Sequence, residues 1–310
     1  MRRAAASGLL LIVLAGCAGT KPKTPGTPPV SAATPATATS TAALAKGAPA
    51  AGIATANTDL PQHKRYRHAE DGGPLEPPAY IASLPEPVPH PVPRSRYGNK
   101  PTYSVRGHTY HVLKSAIGYD RRGIASWYGR KFQGYLTSSF EKYDMYKFTA
   151  AHKTLPLPSW ARVTNLENGK SVIVRINDRG PFVANRLIDL SYAAAVRIGI
   201  WPRGTGLVEV QAIDPRHPGE LPPVHVVKGP GSHPVIWLQV GAFADAANAV
   251  RVTDRLRAAG LGPVRVSRVL VHGRTVQRVR LGPLDKVSTA DRLSRKVTQL
   301  GLPEPKVAVD

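Results

Sequence analysis

The sequence predicts a mixed, multi-domain chain: a mainly β barrel or sandwich, a smaller α+β domain after it, and a disordered tether before both. Short runs with β character, separated by Gly, Asn and Asp turns, fill residues 101–215. From Val235 the pattern becomes strand, helix, strand, strand, helix, strand. The 30 prolines are unevenly spread, and residues 18–93 are rich in Pro, Ala and Thr without an apolar period.

The N-terminus has the layout of a signal peptide. Met1, Arg2 and Arg3 supply a short positive region, and residues 4–15 are almost wholly apolar. This run is too short for an ordinary membrane-spanning helix, so residues 1–16 are predicted to be a signal peptide. It ends just before Cys17, the one cysteine of the chain.

Leu14-Ala15-Gly16-Cys17 resembles a bacterial lipobox, in which the cysteine thiol is diacylated and becomes the mature N-terminus. Two or more acyl chains hold a protein stably at a membrane. By the same resemblance, Ala18 favours the outer membrane of a Gram-negative cell, facing the periplasm. The alternative is an uncleaved anchor, or a plain secretory signal with a chance cysteine.

Residues 17–93 are predicted to be the lipidated Cys17 and a disordered tether, because their composition cannot bury enough apolar surface to fold. Where its prolines are extended, such a segment spans about 3 Å per residue. The remaining boundaries are predicted at 94–215 for the first domain, 216–233 for a linker and 234–310 for the second domain.

Both folded regions have predicted elements. In the first domain the strands are Tyr103–Val105, Thr109–Leu113, Gly123–Tyr128, Ala161–Asn165, Ser171–Ile176 and Leu207–Ala212, with short helices near Ala150–Lys153 and at Ser191–Arg197. In the second they are Val235–Val240, helix Ala244–Ala259, Val264–Val271, Thr275–Leu281, helix Val287–Leu300 and Lys306–Val309. The βαββαβ order predicts a small antiparallel sheet with helices on one face.

The charge is strongly positive, with 42 Lys+Arg against 20 Asp+Glu and a formal net charge of +22. Such a surface attracts nucleic acid, anionic lipid or an acidic polysaccharide. The βαββαβ order also occurs in RNA-recognition folds, which stack bases on aromatic side chains of the central strands. Those aromatic residues are lacking here and the export signal separates the chain from nucleic acid, so no nucleic-acid partner is predicted.

Two sets of motifs carry a family resemblance. The first set is Gly123–Gly129, Glu141–Asp144, Ala150–Pro156, Val163–Leu166, Asn177–Phe182 and Ile188–Ser191. Together these closely resemble the double-psi β-barrel domain of the rare lipoprotein A (RlpA) family of septal lytic transglycosylases. The second set is Leu238–Phe243, Asn248-Ala249 and Arg278–Pro283, which resembles a SPOR (sporulation-related repeat) domain.

The resemblance implies cleavage of the MurNAc–GlcNAc bond of peptide-stripped peptidoglycan, with formation of 1,6-anhydro-MurNAc. Breaking a glycosidic bond requires a carboxylic acid to protonate the leaving oxygen. No metal and no cofactor is expected. The family places Glu141, His152 and Asp178 in the groove: Asp178 as the principal general acid and base, Glu141 as the second carboxylate, and His152 to orient one of them.

Each of these residues also has a structural interpretation. Asp178 could cap the tight turn made by Gly180 and Pro181. Glu141 could be a solvated surface acid, and His152 a satisfied, partly buried histidine. Asp144 and Asp189 are predicted to be structural. Trp127 and Tyr128 are predicted to be part of the core, and their alternative is a stacking platform for sugar rings.

Two departures from the family pattern bear on the activity. Phe140 stands where the family usually has a glycine before the glutamate, and Gln133 stands where a histidine is common. Glycine permits backbone conformations that other residues resist, so the loop that carries Glu141 is expected to be reshaped. The alternative function is therefore a non-catalytic septal peptidoglycan-binding lipoprotein.

The SPOR resemblance implies binding to glycan strands stripped of stem peptides, which accumulate at the division septum. Gln239, Arg278 and Arg280 are predicted to carry this binding on the sheet face. Their alternative is a solvated strand position and a generic basic face. Division-site proteins are possible further partners.

Overall fold

A computed structural model describes residues 66–220, 223, 234–271 and 273–310. The predicted signal peptide, Cys17, the first part of the tether and most of the 216–233 linker lie outside these ranges. Within them, none of the helices has both the length and the apolar character needed to cross a bilayer.

The described ranges contain the following elements. The strands are β1 (Thr102–Val105), β2 (His108–His111), β3 (Asp120–Tyr128), β4 (Thr149–His152), β5 (Ser159–Asn165), β6 (Ser171–Asp178), β7 (Arg186–Ser191), β8 (Gly206–Ile213), β9 (Ile236–Phe243), β10 (Val264–Val271), β11 (Arg274–Leu284) and β12 (Lys306–Val309). The α-helices are α1 (Tyr192–Arg197), α2 (Ala246–Ala258) and α3 (Val287–Gln299). Short 3₁₀ turns lie at Ala79–Ala82 and Arg130–Phe132.

The first domain is a closed six-stranded barrel in the order β3-β7-β4-β6-β5-β8, with β8 pairing back onto β3. The β3–β7 and β4–β6 pairs are parallel and the other pairs are antiparallel. Apolar side chains such as Val163, Val174, Ile176 and Val210 fill its interior and are fully buried. This confirms the predicted double-psi β-barrel fold.

One predicted helix is wrong. Residues Thr149–His152 form strand β4, which pairs with β6 on one side and β7 on the other. Alanine favours helices when a segment stands alone, but propensity is a weak prior that tertiary context overrides. Ala150 and Ala151 lie at the centre of the barrel wall, where their small side chains are buried.

The second predicted helix of this domain is confirmed as α1. Ser191 is its N-cap, and the Ser191 Oγ accepts a hydrogen bond from the Ala194 backbone N–H at 3.3 Å. The same hydroxyl donates to the Lys147 carbonyl at 2.6 Å. Strand β7, which runs directly into this cap, was not predicted.

The predicted tether extends too far. Residues 66–100, called the N-terminal strap below, pack along the barrel: Ile81 is buried in the barrel core, Glu86 accepts a hydrogen bond from the Ile173 backbone N–H at 2.9 Å, and Trp160 donates to the His90 carbonyl at 2.9 Å. A proline-rich segment lacks a regular apolar period, yet single side chains and free carbonyls can still dock on a finished surface. The tether prediction up to residue 93 therefore does not hold for residues 66–93.

The second domain matches the predicted βαββαβ order. Its four strands form an antiparallel sheet in the order β10-β11-β9-β12. Leu238, Val240, Val279 and Leu281 belong to the buried cluster that also contains Leu256 and Leu293 of helices α2 and α3. The α+β prediction is confirmed.

The two domains are in contact. Arg186 of the barrel donates two hydrogen bonds to the Asp291 carboxylate on α3, at 2.9 and 2.7 Å. Burial acts to raise the pKa of Asp291, but the Arg186 guanidinium outweighs it and holds that pKa below its usual value. Barrel residues Ile124 and Leu207 are buried in the same apolar cluster as the second domain's core.

A groove with two aspartates as the candidate active site

Asp178 is the last residue of β6, where the barrel wall opens into the turn Arg179-Gly180-Pro181. Its Oδ1 accepts hydrogen bonds from the Ser138 backbone N–H at 2.8 Å, the Ser138 hydroxyl at 2.6 Å and the Arg179 backbone N–H at 2.7 Å. Burial raises the pKa of the Asp178 carboxyl, although these hydrogen bonds act to lower it. Asp178 is thus more than a cap of its own turn, because Ser138 comes from a distant loop.

The Arg179 side chain holds this turn in place. Its guanidinium donates to the carbonyls of Gly98, His152 and Leu155, at 2.8, 3.0 and 2.5 Å. These acceptors join the strap, β4 and the loop after β4 to the Asp178 turn. The Arg179 side chain thus acts as a strut for the groove.

Asp178 lies at the floor of an open cavity of about 400 Å³. Polar lining comes from Arg106, Thr137, Ser138, Asp178, Arg179 and Asp189. Aromatic lining comes from Tyr66, Tyr128, Phe132, Tyr135, Tyr143 and Phe182. Concave sites with aromatic walls and a few convergent polar groups are typical of ligand-binding sites.

Asp189, predicted to be structural, lines the same cavity as Asp178. Its Oδ1 is buried and makes no hydrogen bond among the described residues. Burial raises the pKa of Asp189 to about 7, and the negative charges of Asp71 and Asp178 add to the shift. The sequence motif Ile188–Ser191 contained this residue, but only the β4–β7 pairing shows that it reaches the groove.

Glu141 lies elsewhere. It lines a different cavity, of about 570 Å³, together with Trp160, Arg175 and Asn177. Its Oε2 is paired with the Arg175 guanidinium and accepts a hydrogen bond from Asn177 Nδ2 at 3.0 Å. The structure therefore does not bring Glu141 into the cavity of Asp178, and its role as the second carboxylate stays a prediction.

Phe140, at the position where the family usually has a glycine, adopts a backbone conformation that glycine favours. Its backbone has φ = +64°, a conformation that glycine adopts more readily, and its side chain is 57% exposed. The ring stacks on Tyr97 of the strap, with centroids 4.0 Å apart and an interplanar angle of 26°. Gln133 donates to the Asp144 carboxylate and accepts from the Met145 backbone N–H, so it braces the preceding loop.

His152 is buried and does not line the groove; its side chain is 2% exposed. Its Nδ1 accepts hydrogen bonds from the backbone N–H groups of Thr154 and Leu155, at 3.1 and 2.9 Å. The proton therefore sits on Nε2, which lies 2.9 Å from the Tyr119 hydroxyl. Burial lowers the pKa of His152 to about 3, and the charges of Arg179 and Lys153 add to the shift. Among the described residues no hydrogen bond joins the His152 side chain to a carboxylate, and the His152 carbonyl accepts a hydrogen bond from Arg179.

The neighbouring aromatic residues Trp127 and Tyr128 have different surroundings. Trp127 packs edge-on against Tyr192 in the core, with centroids 5.7 Å apart. Tyr128 is only 5% exposed and stacks on Tyr143 at 4.3 Å, but it also lines the cavity. Tyr128 has the predicted core position and also belongs to the groove wall, whereas Trp127 is partly buried and packs against the core.

The predicted glycan-binding residues share one face of the second sheet. Arg280 is the cross-strand partner of both Gln239 and Arg265, and Lys306 pairs with Gln239 from the other side. Arg278, two residues before Arg280, lies on the same face because side chains alternate along a strand. The four residues Lys306, Gln239, Arg280 and Arg265 form a row across all four strands, called the basic row below.

Comparisons with known proteins agree with this architecture. The family model described as lytic transglycolase, of the double-psi barrel type, matches residues 120–212. The SPOR domain model matches residues 232–305. The fold and groove thus define the class first: a lytic transglycolase barrel followed by a SPOR domain.

Relatives narrow the class further. The chain is 38% identical over 279 residues to the endolytic peptidoglycan transglycosylase RlpA of Pseudomonas aeruginosa strain UCBPP-PA14, covering 72% of this chain and 80% of the relative. It is 50% identical over 149 residues to the protein of the same name from Vibrio cholerae, covering 48% of this chain and 56% of the relative. The solved SPOR domain of RlpA from Pseudomonas aeruginosa matches 24% of this chain and 96% of its own length, with 30% identity and a TM-score of 0.23.

The chain belongs to the rare lipoprotein A (RlpA) family. This is a family of peptidoglycan lytic transglycosylases. Within the described ranges, no three His, Cys, Asp or Glu side chains are grouped as metal ligands would be.

Proposed function

We propose that this chain is an endolytic transglycosylase that cleaves the MurNAc–GlcNAc bond of peptide-stripped peptidoglycan and leaves 1,6-anhydro-MurNAc ends. The observation that carries the proposal is Asp178, a carboxylate with a raised pKa on the floor of an open, aromatic-walled cavity. The family assignment and the Pseudomonas aeruginosa and Vibrio cholerae relatives support the same reaction.

The chemistry needs one proton to be delivered and one to be recovered. Asp178, as principal general acid, gives a proton to the glycosidic oxygen while the bond from that oxygen to C1 of MurNAc breaks. The C6 hydroxyl of the same sugar then attacks C1, and the carboxylate takes the hydroxyl proton. A raised pKa suits this role, since the acid must still carry its proton near neutral pH.

The three hydrogen bonds to Asp178 reach Oδ1, among the described residues. They fix the plane of the carboxyl group, and Oδ2 is left for the substrate. Ser138 is therefore proposed to position Asp178. His152 and Glu141 support the same region from outside the cavity: His152 through the carbonyl that holds Arg179, and Glu141 through the loop that begins at Ser138.

The basic row is proposed to bind the glycan. Arg280 and Arg265 lie over the ring of Trp237 at 5.9 and 5.7 Å, which holds their guanidinium groups at the sheet surface. The Nε atoms of Arg278 and Arg280 are buried and make no hydrogen bond within the described chain. Strands without stem peptides expose lactyl carboxylates, the anionic groups that guanidinium donors bind best.

The proposed location in the cell rests on the lipobox-like segment around Cys17 and on the SPOR domain. Cys17 is proposed to be diacylated and to hold the protein at the outer membrane, facing the periplasm. The SPOR domain is proposed to concentrate it at the septum, where denuded strands accumulate and where it would assist daughter-cell separation. Division-site proteins remain candidate partners.

The test uses sacculi treated with an amidase and mass spectrometry of the released fragments. Wild-type protein should release 1,6-anhydro fragments, Asp178→Asn should release essentially none, and Asp214→Asn, a matched change outside the groove, should behave as wild type. Reducing-end fragments from the wild type would identify a hydrolase. No fragments together with retained sacculus binding would identify the non-catalytic binding protein.

A further inference from the structure

Asp178 and Asp189 are brought together by one residue of β4. Ala151 is the cross-strand partner of Asp178 on β6 and of Asp189 on β7. Neighbouring strands lie about 4.8 Å apart, so the two Cα atoms are separated by two strand spacings, roughly 10 Å. Both side chains line the same cavity. Two carboxyl groups that flank a glycosidic bond in glycosidases lie about 5 to 9.5 Å apart, which is the range this placement allows.

The two carboxylates have different surroundings. Asp178 accepts three hydrogen bonds at Oδ1, which favour its charged form. Asp189 receives a hydrogen bond from the Ser126 side chain, while its Oδ1 is buried and has no hydrogen-bond partner in the part of the chain that the structure describes. The charges around Asp189 are Asp71 and Asp178, which repel a negative charge, and Arg186, which attracts it. Burial raises the pKa of both carboxyl groups, and the charge of Asp178 adds to the shift at Asp189, so the pair holds one proton between them.

A second buried polar atom points to the same place. Tyr128 comes from β3, which pairs with β7, and it lines the cavity while being 5% exposed. Its hydroxyl makes no hydrogen bond of good geometry among the described residues. Buried polar groups in native proteins are nearly always satisfied, and the Tyr128 hydroxyl and Asp189 Oδ1 belong to residues that line one cavity, so a ligand or its ordered water can complete their hydrogen bonds there.

We propose that Asp189 is a second catalytic carboxylate, which stands beside Asp178 on the groove floor and shares one proton with it in each catalytic cycle. The proposal rests on the proposed transglycosylase function and adds a residue to its machinery. The pair starts with one proton. The protonated member gives it to the glycosidic oxygen as the bond to C1 breaks, and the ionised member stabilises the positive charge on C1.

The second half of the reaction restores the pair. The C6 hydroxyl oxygen forms the new bond to C1, and the ionised member takes the hydroxyl proton. One proton leaves the pair and one returns, so no water is consumed and no other reactant is needed. Because the two groups interact, the pH dependence belongs to the pair and not to either residue alone.

The experiment measures release of 1,6-anhydro fragments by the full-length chain across pH 5–9. Asp189→Asn keeps the shape of a neutral Asp189 but removes its proton donor and its charge. We expect kcat to fall at least about 100-fold, as for loss of a general acid or base. We also expect the alkaline limb of the residual activity to move to lower pH. Asp189→Ala should be partly rescued by added formate, which a purely structural residue would not show.

The control is Asp214→Asn, which should have wild-type kcat and an unchanged pH profile. Circular dichroism and binding to denuded sacculi should show that the Asp189 variants are folded. Retention of most turnover by Asp189→Asn, with an unchanged pH profile and an inactive Asp178→Asn, would overturn the pair while the proposed function stands. Absence of anhydro product from the wild type would overturn both.

Discussion

Two cavities of the barrel are lined by carboxylates, and the groups that contact these carboxylates differ between the two cavities. In the first, Asp189 has an unpaired oxygen and Asp178 depends on neutral N–H and O–H donors. In the second, Glu141 is neutralised directly by the Arg175 guanidinium. Burial raises the pKa of both carboxyl groups in the first cavity, and the charge of Asp178 adds to the shift at Asp189. The first cavity is therefore suited to acid–base chemistry and the second to holding a loop.

The strongest test of this contrast compares turnover in two conservative variants. Asp178→Asn should lower kcat by about 10²- to 10⁴-fold, the range for loss of a general acid or base. Glu141→Gln loses only the ion pair with Arg175, so its loss of kcat should be at least about tenfold smaller. Initial rates of anhydro-fragment release measure both. Equal losses would mean that the two cavities act as one site.

The second test is the pH dependence of stability. The pKa of Asp189 is raised to about 7, so above about pH 4 the unfolded chain releases a proton that the native chain keeps, and stability falls as pH rises from 4 to 7. The pKa of His152 is lowered to about 3, so the unfolded chain takes up a proton below about pH 6.5 and stability falls as pH drops from 6.5 to 3. The two effects oppose each other in the wild type.

Asp189→Asn removes the pH dependence of stability that comes from Asp189 and leaves the one that comes from His152. The free energy of unfolding of the variant, relative to wild type, should therefore rise by a few kcal/mol between pH 4 and pH 7. Urea unfolding at several pH values measures it. Asp214→Asn is the control with the reverse sign, because the Arg216 side chain holds the pKa of Asp214 below its usual value. A flat difference for Asp189→Asn would show that Asp189 is ionised in the native groove.

Much of the fold could be predicted from local patterns. The β-runs between Gly and Asn/Asp turns, the Ser191 cap and the alternation after Val235 each reflect interactions within a few residues. Strand β4 and the strap could not be predicted in this way. Ala150 and Ala151 form a strand because β6 and β7 pair with them on both sides. Ile81 has its position because its side chain is buried in the barrel core.

The same distinction applies to the site. Asp178 could be placed in the groove by the family resemblance of its motif, since the tight turn after it alone is equally compatible with a structural cap. The choice between Glu141 and Asp189 as its neighbour depends on Ala151, which pairs with Asp178 and Asp189 from opposite edges of β4. Distance along the chain does not reveal that arrangement in a closed barrel, where strand order differs from sequence order.

The third test concerns the support of the first cavity. Gly98 has φ = +73°, and a Cβ there would lie 2.7 Å from the Ser138 carbonyl oxygen and 2.9 Å from Leu157 Cδ1. Gly98→Ala should cost about 1 to 2 kcal/mol for the backbone conformation alone, plus the displacement of Ser138 from Asp178. Gly107, with φ = +79° and nothing within 4 Å of its Cβ position, is the matched control for backbone strain. Thermal unfolding should therefore rank Gly98→Ala below Gly107→Ala, and only the first should lose turnover.

The smallest effect is expected at Phe140, in the loop that joins the two cavities. Ser138 donates a hydrogen bond to Asp178, and Glu141 is paired with Arg175. The φ of +64° at Phe140 therefore lets the residues on its two sides contact different cavities. Phe140→Gly and Phe140→Ala both lose the stack on Tyr97, but only alanine keeps the backbone strain. The glycine variant should therefore be more stable than the alanine variant by about 1 kcal/mol, measured by urea unfolding, the reverse of their order in an ordinary strand or helix. If the alanine variant is as stable as the glycine variant, the loop relaxes to another conformation. The Phe140 ring, and not the backbone conformation at residue 140, would then keep the two cavities separate.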